Sequence, residues 1–335
     1  GNCFSEIDNE SKIEYHKYGT HIFHTNNKKI LNYINLFTEF NNYKHQVFSS
    51  YNDKLFQLPF NLHTINKIYN SNFTPEEARS FMKNEISKYY TPYPKNLQEK
   101  AINNVGIKIY NYLIKGYTEK QWGKKANTLP SSIINRIPFR YNYDSNYFNN
   151  SYYQGIPKNG YTNMFKNLIK SKNIHLKLNT NFNIEDIKKM NIPIIYTGPL
   201  DSFFDFKYGK LEWRSLKFKK LIQNCNDYQG TSVVNFPQRK VPFTRIHEPK
   251  HLHPERENLI NKTLIIKEFP HKDDSNPYYP INDKLNRYIH RKYKNESNNI
   301  PNFFIGGRLA DYAYYDMDMT ISAALNLFEN KIKKL

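Results

Sequence analysis

Apolar residues recur at Ile30, Leu31, Tyr33, Ile34 and Phe37, directly after Thr25 and Asn26. This spacing predicts a capped amphipathic helix. Residues 46–60, QVFSSYNDKLFQLPF, read as a hairpin with Asn52-Asp53 at the turn. Thr74-Pro75-Glu76-Glu77 marks a helix start: Thr74 can cap, Pro75 suits the first helical position, and Glu77 can return a capping-box bond. Residues 97–115 are apolar at Ala101, Ile102, Val105, Ile109, Tyr112 and Leu113, and Gly116 is expected to stop that helix. Residues 64 to 122 are therefore expected to be largely helical. Beyond them, 123–140 read as a loop followed by a short helix, and 192–197 (IPIIYT) as a buried strand running into Gly198-Pro199. Short alternating runs over 211–269, such as 230–236 (GTSVVNF), predict an antiparallel sheet. A strand at 302–305, Gly306-Gly307-Arg308 and a last helix, apolar at Ile321, Ala324, Leu325, Phe328 and Ile332, close the chain. Strand, paired glycines and helix are the grammar of a phosphate-contacting turn, although a glycine pair alone more often marks a plain tight turn.

Composition narrows the classes. A length of 335 residues suits two or three structural units, and 16% aromatic content with 28 Tyr supports packed structure. The net charge of +19 would fit a nucleic-acid protein. However, Lys, Asn and Ile run evenly along the chain without a concentrated basic tract. The excess therefore reads as solvated surface, with a smaller share for an anionic substrate and no nucleic-acid partner. Cys3 and Cys225 cannot build a disulfide framework, which points to a reducing cytoplasm. No apolar run approaches about eighteen residues, so a soluble chain without membrane insertion is expected.

The stretch HKYGTHIFHT packs His16, His21 and His24 around Gly19. It admits a metal site, a catalytic base or packing around a large ligand. His247, His251 and His253 lie in a polar, Pro-punctuated stretch, read as a solvated loop rather than a zinc site; no metal is expected. Asp144, Asp316 and Asp318 read as caps, Tyr112 and Tyr143 as packing, and single arginines such as Arg140 and Arg214 as surface ion pairs. Five segments are dense in Arg and Tyr: YTEKQW (117–122), RIPFRYNYDSNYF (136–148), VPFTRI (241–246), PYYP (277–280) and GGRLADYAYYDMD (306–318). Arg forks suit phosphate oxygens and Tyr hydroxyls add neutral donors, so the set suits a diphosphate. Ser-His-Asp, Walker, CxxC and HExxH signatures are missing. Residue chemistry alone leads to an anion-binding α/β protein.

The order HKYGTHIFHT, LPFNLHTIN, YTEKQW, NYDSNYF, YQGIPKNGYTNMF, YTGPLD, VPFTRI, PYYP and GGRLADYAYYDMD closely resembles the prokaryotic-type UDP-galactopyranose mutases, collinearly along the whole chain. The resemblance implies an isomerase that reversibly contracts UDP-galactopyranose to UDP-galactofuranose through a covalent adduct of the sugar's anomeric carbon with reduced FAD. It implies substrate roles for Arg136, on a mobile lid over about 123–136 hinged at Gly123, and for Arg245, both holding the diphosphate. Tyr147, Tyr279 and Tyr314 would bond phosphate oxygens. Tyr117 would stack on uracil beside Phe148, with Thr118 and Asn235 lining the site, His45 near the substrate and Trp122 near the sugar. For the cofactor it implies Gly19, His21, His24, Arg214, Gly307, Arg308, Asp316 and Met317, with His24 against the flavin ring. The family is commonly dimeric, which leaves a homodimer open.

The implied fold is α/β. An incomplete Rossmann-like FAD-binding domain is expected over 1–40, 155–202 and 285–335. A helical domain with the lid covers 64–150, and an antiparallel sheet domain covers 41–63 and 203–284. The family's opening strand, G-x-G-x-x-G turn and helix have no counterpart here, and Gly1 is not a translation start, so a preceding segment is expected. The alternative is a flavin-free, non-catalytic UDP-sugar-binding relative or an inactive fragment.

Overall fold

A computed structural model describes residues 2–136, 138–148, 151–180, 182, 184–190, 192–257, 260–272 and 276–335, without the side chains of Asn135, Arg136, Ile184 and Lys188. These residues form two compact units. The first comprises Gly1–Asn26, Thr38–Phe165 and Leu216–His271; the second comprises Asn27–Phe37, Lys166–Ser215 and Lys272–Leu335.

In the first unit, β1 (Ser5–Ile7) pairs antiparallel with β2 (Glu14–His16), and β3 (Phe23–Thr25) with β6 (Tyr153–Gly155). The predicted hairpin forms from β4 (Val47–Tyr51) and β5 (Lys54–Leu58), and Asn52 and Asp53 both take the positive φ its tight turn requires. The larger sheet continues through β8 (Trp213–Gln223), β9 (Val233–Asn235), β10 (Arg245–His247) and β11 (Thr263–His271), in the order β8-β11-β10-β9-β4-β5. It is mixed rather than purely antiparallel: β4 and β9 run parallel, because they are joined across the sequence by the helical region.

That helical region begins with α2 (Leu62–Tyr69), capped by Asn61, and α3 (Pro75–Ser87). The capping box is present in full: Thr74 accepts from Glu77 N, and the Glu77 carboxylate accepts from Thr74 N at 2.8 Å. After α4 (Leu97–Ile109) the chain does not stop at Gly116. A π segment, Tyr110–Ile114, leads directly into α5 (Lys115–Trp122), which ends at left-handed Gly123. The internal break lies instead at Gly106, with φ +76°. Gly116 is required by a tertiary contact: a Cβ there would stand 2.2 Å from Pro237 O. Gly116→Ala is therefore expected to lower stability by about 1–3 kcal/mol, since a backbone carbonyl cannot yield as a side-chain end can. Urea unfolding checks this, and an unchanged midpoint would show that α5 and residue 237 part freely. The core of this unit joins Phe56, Phe60, Ile65, Met82, Ile109 and Ala126, with Trp122 packed against it.

The second unit holds α1 (Lys28–Ile34), shorter than the pattern suggested and capped by Asn27 rather than by its predecessors. α6 (Gly160–Leu168) enters it from the first unit, and α7 (Ile184–Lys189) follows. β7 (Ile194–Tyr196) and β13 (Phe303–Ile305) pair in parallel. IPIIYT is not a buried strand: Ile195 is 52% exposed, since β13 is the partner of β7 among the described residues. The core gathers Phe203 of α8 (Leu200–Phe203), Trp213, Tyr293 of α9 (Lys284–Ser297), Phe303 and Tyr312. Gly306 leads into α10 (Gly307–Ala310), and α11 (Met317–Asn330) follows. The last helix forms as expected, and no residue of α11 is buried. No helix among the described residues is long and apolar enough to cross a membrane.

Candidate active site

In the first unit, adjacent strands present the central residues. Arg245 on β10 stands opposite Asn235 on β9 in the antiparallel register. The Arg245 guanidinium donates to the Tyr117 hydroxyl and lies 5.6 Å from that ring's centroid. Burial pushes the Tyr117 hydroxyl up to about 12, so it stays protonated near Arg245. Arg245 Nε is 3.6 Å from the buried Glu268 carboxylate. Glu268 also meets His247 Nε2 at 3.1 Å and the Thr244 hydroxyl at 3.1 Å. Burial alone would raise the Glu268 carboxyl; Arg245, with His247 and Thr244, outweighs it and holds the group below the usual range. His247 Nδ1 reaches the Thr20 hydroxyl at 2.7 Å. One polar chain thus joins Thr20, His247, Glu268, Arg245 and Tyr117. Beside it, the buried Asn235 Oδ1 has no hydrogen-bond partner among the described residues. A buried acceptor left open this way fits a ligand donor.

A second wall of the same unit is aromatic. β3 places His24 opposite Gln154, and the His24 ring stacks on Phe148 with centroids 3.8 Å apart. His24 Nδ1 lies 3.2 Å from Ser151 Oγ. His45 sits 5.8 Å from Phe148 and 5.2 Å from Tyr147. Its Nδ1 meets the Tyr43 hydroxyl at 3.0 Å, and Tyr43 meets Ser232 at 2.5 Å. Burial, then the Arg245 charge, lowers His45 to about 3, so the imidazole is neutral. His16 accepts from His21 N, and burial keeps it neutral too. His21 Nδ1 bonds Gly19 O at 2.7 Å, so the first two histidines brace the loop. Gly19 has φ +97°, and a Cβ there would approach Phe218 to 3.3 Å. The positive φ favours glycine, and the close Phe218 ring adds to the cost of a side chain there.

In the second unit, Arg214 is buried on β8, where it pairs with Tyr279 of β12 (Tyr279–Pro280); it is not a surface ion pair. The Tyr279 and Tyr314 rings stack at 5.8 Å, and the Arg308 guanidinium lies 4.6 Å from the Tyr314 centroid. Arg308 donates to the carbonyls of Tyr278 and Tyr315 at 3.3 and 2.5 Å. Gly307 takes φ +83° against Thr197, and Asp316 is the N-cap residue of α11, which Met317 begins.

Residues 112–314 match the sequence profile described as GLF, UDP-galactopyranose mutase. A Klebsiella pneumoniae protein named "Probable UDP-galactopyranose mutase" is 38% identical over 97% of this chain and 84% of its own length. The dTDP-fucopyranose mutase of Escherichia coli is 34% identical over 99% of this chain and 89% of its own length. A UDP-galactopyranose mutase of Mycoplasma genitalium is 34% identical over 96% and 83%. The chain belongs to the UDP-galactopyranose mutase family. The crystal structure of a reduced UDP-galactopyranose mutase superposes over 100% of this chain and 88% of that one with a TM-score of 0.76, at 13% identity, which shows the shared fold.

Among the family's motifs, Arg245, Tyr117 and Asn235 come together, with Thr118 buried after Tyr117 on α5, as do His24, His45, Tyr147 and Phe148. Trp122 packs into the helical core, and the Arg136 side chain lies outside the described residues. The sequence reading missed Thr20, His247 and Glu268. The 247–253 stretch is not a solvated loop: His247 is 2% and His253 4% exposed. His247 lies on β10, and pairing with β9 and β11 buries it. His251 belongs elsewhere, beside Glu248 and Asp227, whose ligand atoms converge with its own within 4.8 Å. Lys250 stands 3.7 Å from Asp227, so a protonated His251 and Lys250 already match both carboxylates. Arg140 pairs with Asp144 at 3.1 Å and donates to Asn146 O; Tyr143, expected to pack, is 65% exposed.

Proposed function

We infer that the chain interconverts UDP-galactopyranose and UDP-galactofuranose. The observation that carries this beyond family membership is the Arg245–Tyr117 pair beside the open Asn235 acceptor: a guanidinium for diphosphate, an aromatic face and an amide for a uracil edge. Arg245 offers its charge where negative charge gathers on the departing diphosphate. Glu268 and His247 hold that guanidinium in place from behind. The protonated Tyr117 hydroxyl donates without adding charge. Tyr147, and Tyr279 and Tyr314 by their motifs, serve as neutral donors to phosphate oxygens, and Arg136 supplies a second cation. Neutral His45 holds its position through Tyr43 and Ser232 and can donate or accept one hydrogen bond.

The cofactor read from the family is FAD. A reduced flavin, when bound, supplies the nucleophile for the anomeric carbon. His24, Gly307, Arg308, Asp316 and Met317 would hold it. The strand–Gly306-Gly307–helix turn and the left-handed Gly307 suit backbone contact with a phosphate, and the stacked His24–Phe148 wall suits a flat ring. The 34% identity to a dTDP-fucopyranose mutase over nearly the whole chain favours a second reading, in which the sugar nucleotide is a thymidine relative.

The test is conversion of UDP-galactofuranose by the dithionite-reduced, flavin-loaded protein, followed chromatographically, with dTDP-fucofuranose in parallel. Turnover of the uridine compound is expected, and Arg136→Ala is expected to abolish it. Faster turnover of the thymidine compound reassigns the substrate. Binding of UDP with neither flavin absorbance nor turnover would sink the enzyme reading.

A further inference from the structure

Lys120 lies on α5, one turn after Tyr117. Its ammonium donates to three backbone carbonyls: Phe236 at 2.5 Å, Phe243 at 2.7 Å and Val241 at 2.9 Å. An ammonium has three donors, and here all three are used on a single loop. That loop joins β9, which ends at Asn235, to β10, which begins at Arg245. No carboxylate pairs with Lys120 among the described residues, so the geometry is not that of a surface ion pair. Two independent contacts hold the same elements together. Gly116 allows α5 to meet Pro237 O, where a Cβ would stand 2.2 Å away, and Glu119 pairs with Arg239. The clamp therefore sets the spacing between the helix that carries Tyr117 and the hairpin that carries Asn235 and Arg245.

We propose that Lys120 is a positioning residue for the nucleoside diphosphate: by fastening the β9–β10 loop to α5 it places Arg245 and Asn235 against Tyr117. This rests on the reading that the chain binds a UDP-sugar. Burial lowers the ammonium to about 8, and it remains largely charged at neutral pH. The carbonyls it binds carry no sequence identity, so the device depends on backbone path rather than side chains.

The experiment compares Lys120→Met, Lys120→Gln and Lys120→Arg with wild type in the flavin-loaded, reduced protein. KM for UDP-galactopyranose and the calorimetric Kd for UDP are measured alongside kcat. Misplacement by about 1 Å can cost up to about 100-fold, so Lys120→Met is expected to raise KM and Kd at least about tenfold, with kcat falling as well because Arg245 is displaced from the developing charge. Lys120→Gln should fall between, and Lys120→Arg, which keeps several donors, should return close to wild type. If Lys120→Met does not fold, a Kd that rises in the order wild type, Lys120→Arg, Lys120→Gln decides the matter. Unchanged Kd in folded variants, or a loss confined to kcat, overturns the proposal. Wild-type protein that binds no UDP defeats the substrate reading instead, so the two failures are distinguishable.

Discussion

Arg245→Ala is expected to lower kcat/KM by about 100- to 1,000-fold, the scale for removing one group aimed at developing charge. Three effects converge on this residue. The diphosphate loses its guanidinium, the Tyr117 hydroxyl loses its donor, and Glu268 loses the charge that keeps it ionised while buried. Arg245→Lys should recover little, because a point charge cannot contact a carboxylate, a phenol and a phosphate with one planar fork. Steady-state kinetics with the reduced protein, together with UDP calorimetry, checks the result; a kcat/KM within about threefold of wild type would remove Arg245 from the site. In the variant, the Glu268 pKa should rise, because burial then acts with less opposition.

Glu248→Ala should produce the largest loss of stability, about 3–5 kcal/mol. Glu248 is fully buried and accepts from Tyr228 N, Gln229 N and the Thr263 hydroxyl, with His251 3.5 Å away. Alanine would leave the buried Thr263 hydroxyl unsatisfied and take the shared acceptor from the Tyr228 and Gln229 amides. A pH dependence accompanies it. Burial alone would raise Glu248, but His251, Thr263 and two backbone amides hold it below 4.5. Its contribution is therefore present above about pH 4.5 and is lost as the pH falls. Burial alone would lower His251, but Glu248 and Asp227 raise it above 6.5. Its contribution is present below about pH 6.5 and fades as the pH rises through the folded value. Stability from this cluster should peak between those limits. Urea midpoints across pH 4 to 9 test it, and a curve for His251→Gln with the same alkaline slope as wild type would refute the assignment.

Local chemistry was readable in the sequence where it is decided locally. The Thr74–Glu77 box and the Asn52-Asp53 turn depend on residues within four positions of each other, and both form. Gly116 misled because its reason lies 121 residues away, at Pro237 O. His247 misled for the same cause: proline and charge around it suggest solvent, yet pairing with two strands buries it. The burial expected of IPIIYT depends on what covers a sheet, which alternation in one segment does not report. In the site, the residue types were legible as an Arg and Tyr set suited to diphosphate, and family motifs named the individuals. Their pairing was not legible, since Tyr117 and Arg245 stand 128 positions apart. Nor was the line from Thr20 through His247 to Glu268, which no spacing announces.

The π segment at Tyr110–Ile114 takes up one residue more in its turn than an α-helix would. Removing one residue there would let the rod close as ordinary α-helix and leave the facing of everything beyond it nearly unchanged, because the wider turn holds one residue more over a similar rotation. The same removal between Ile114 and Tyr117 would instead turn Tyr117 and Lys120 by about 100° away from the hairpin, though neither side chain had been changed. A one-residue deletion is thus absorbed at the π segment and not one turn later, while substitutions in the segment itself are held by the burial of Tyr110, Leu113 and Ile114.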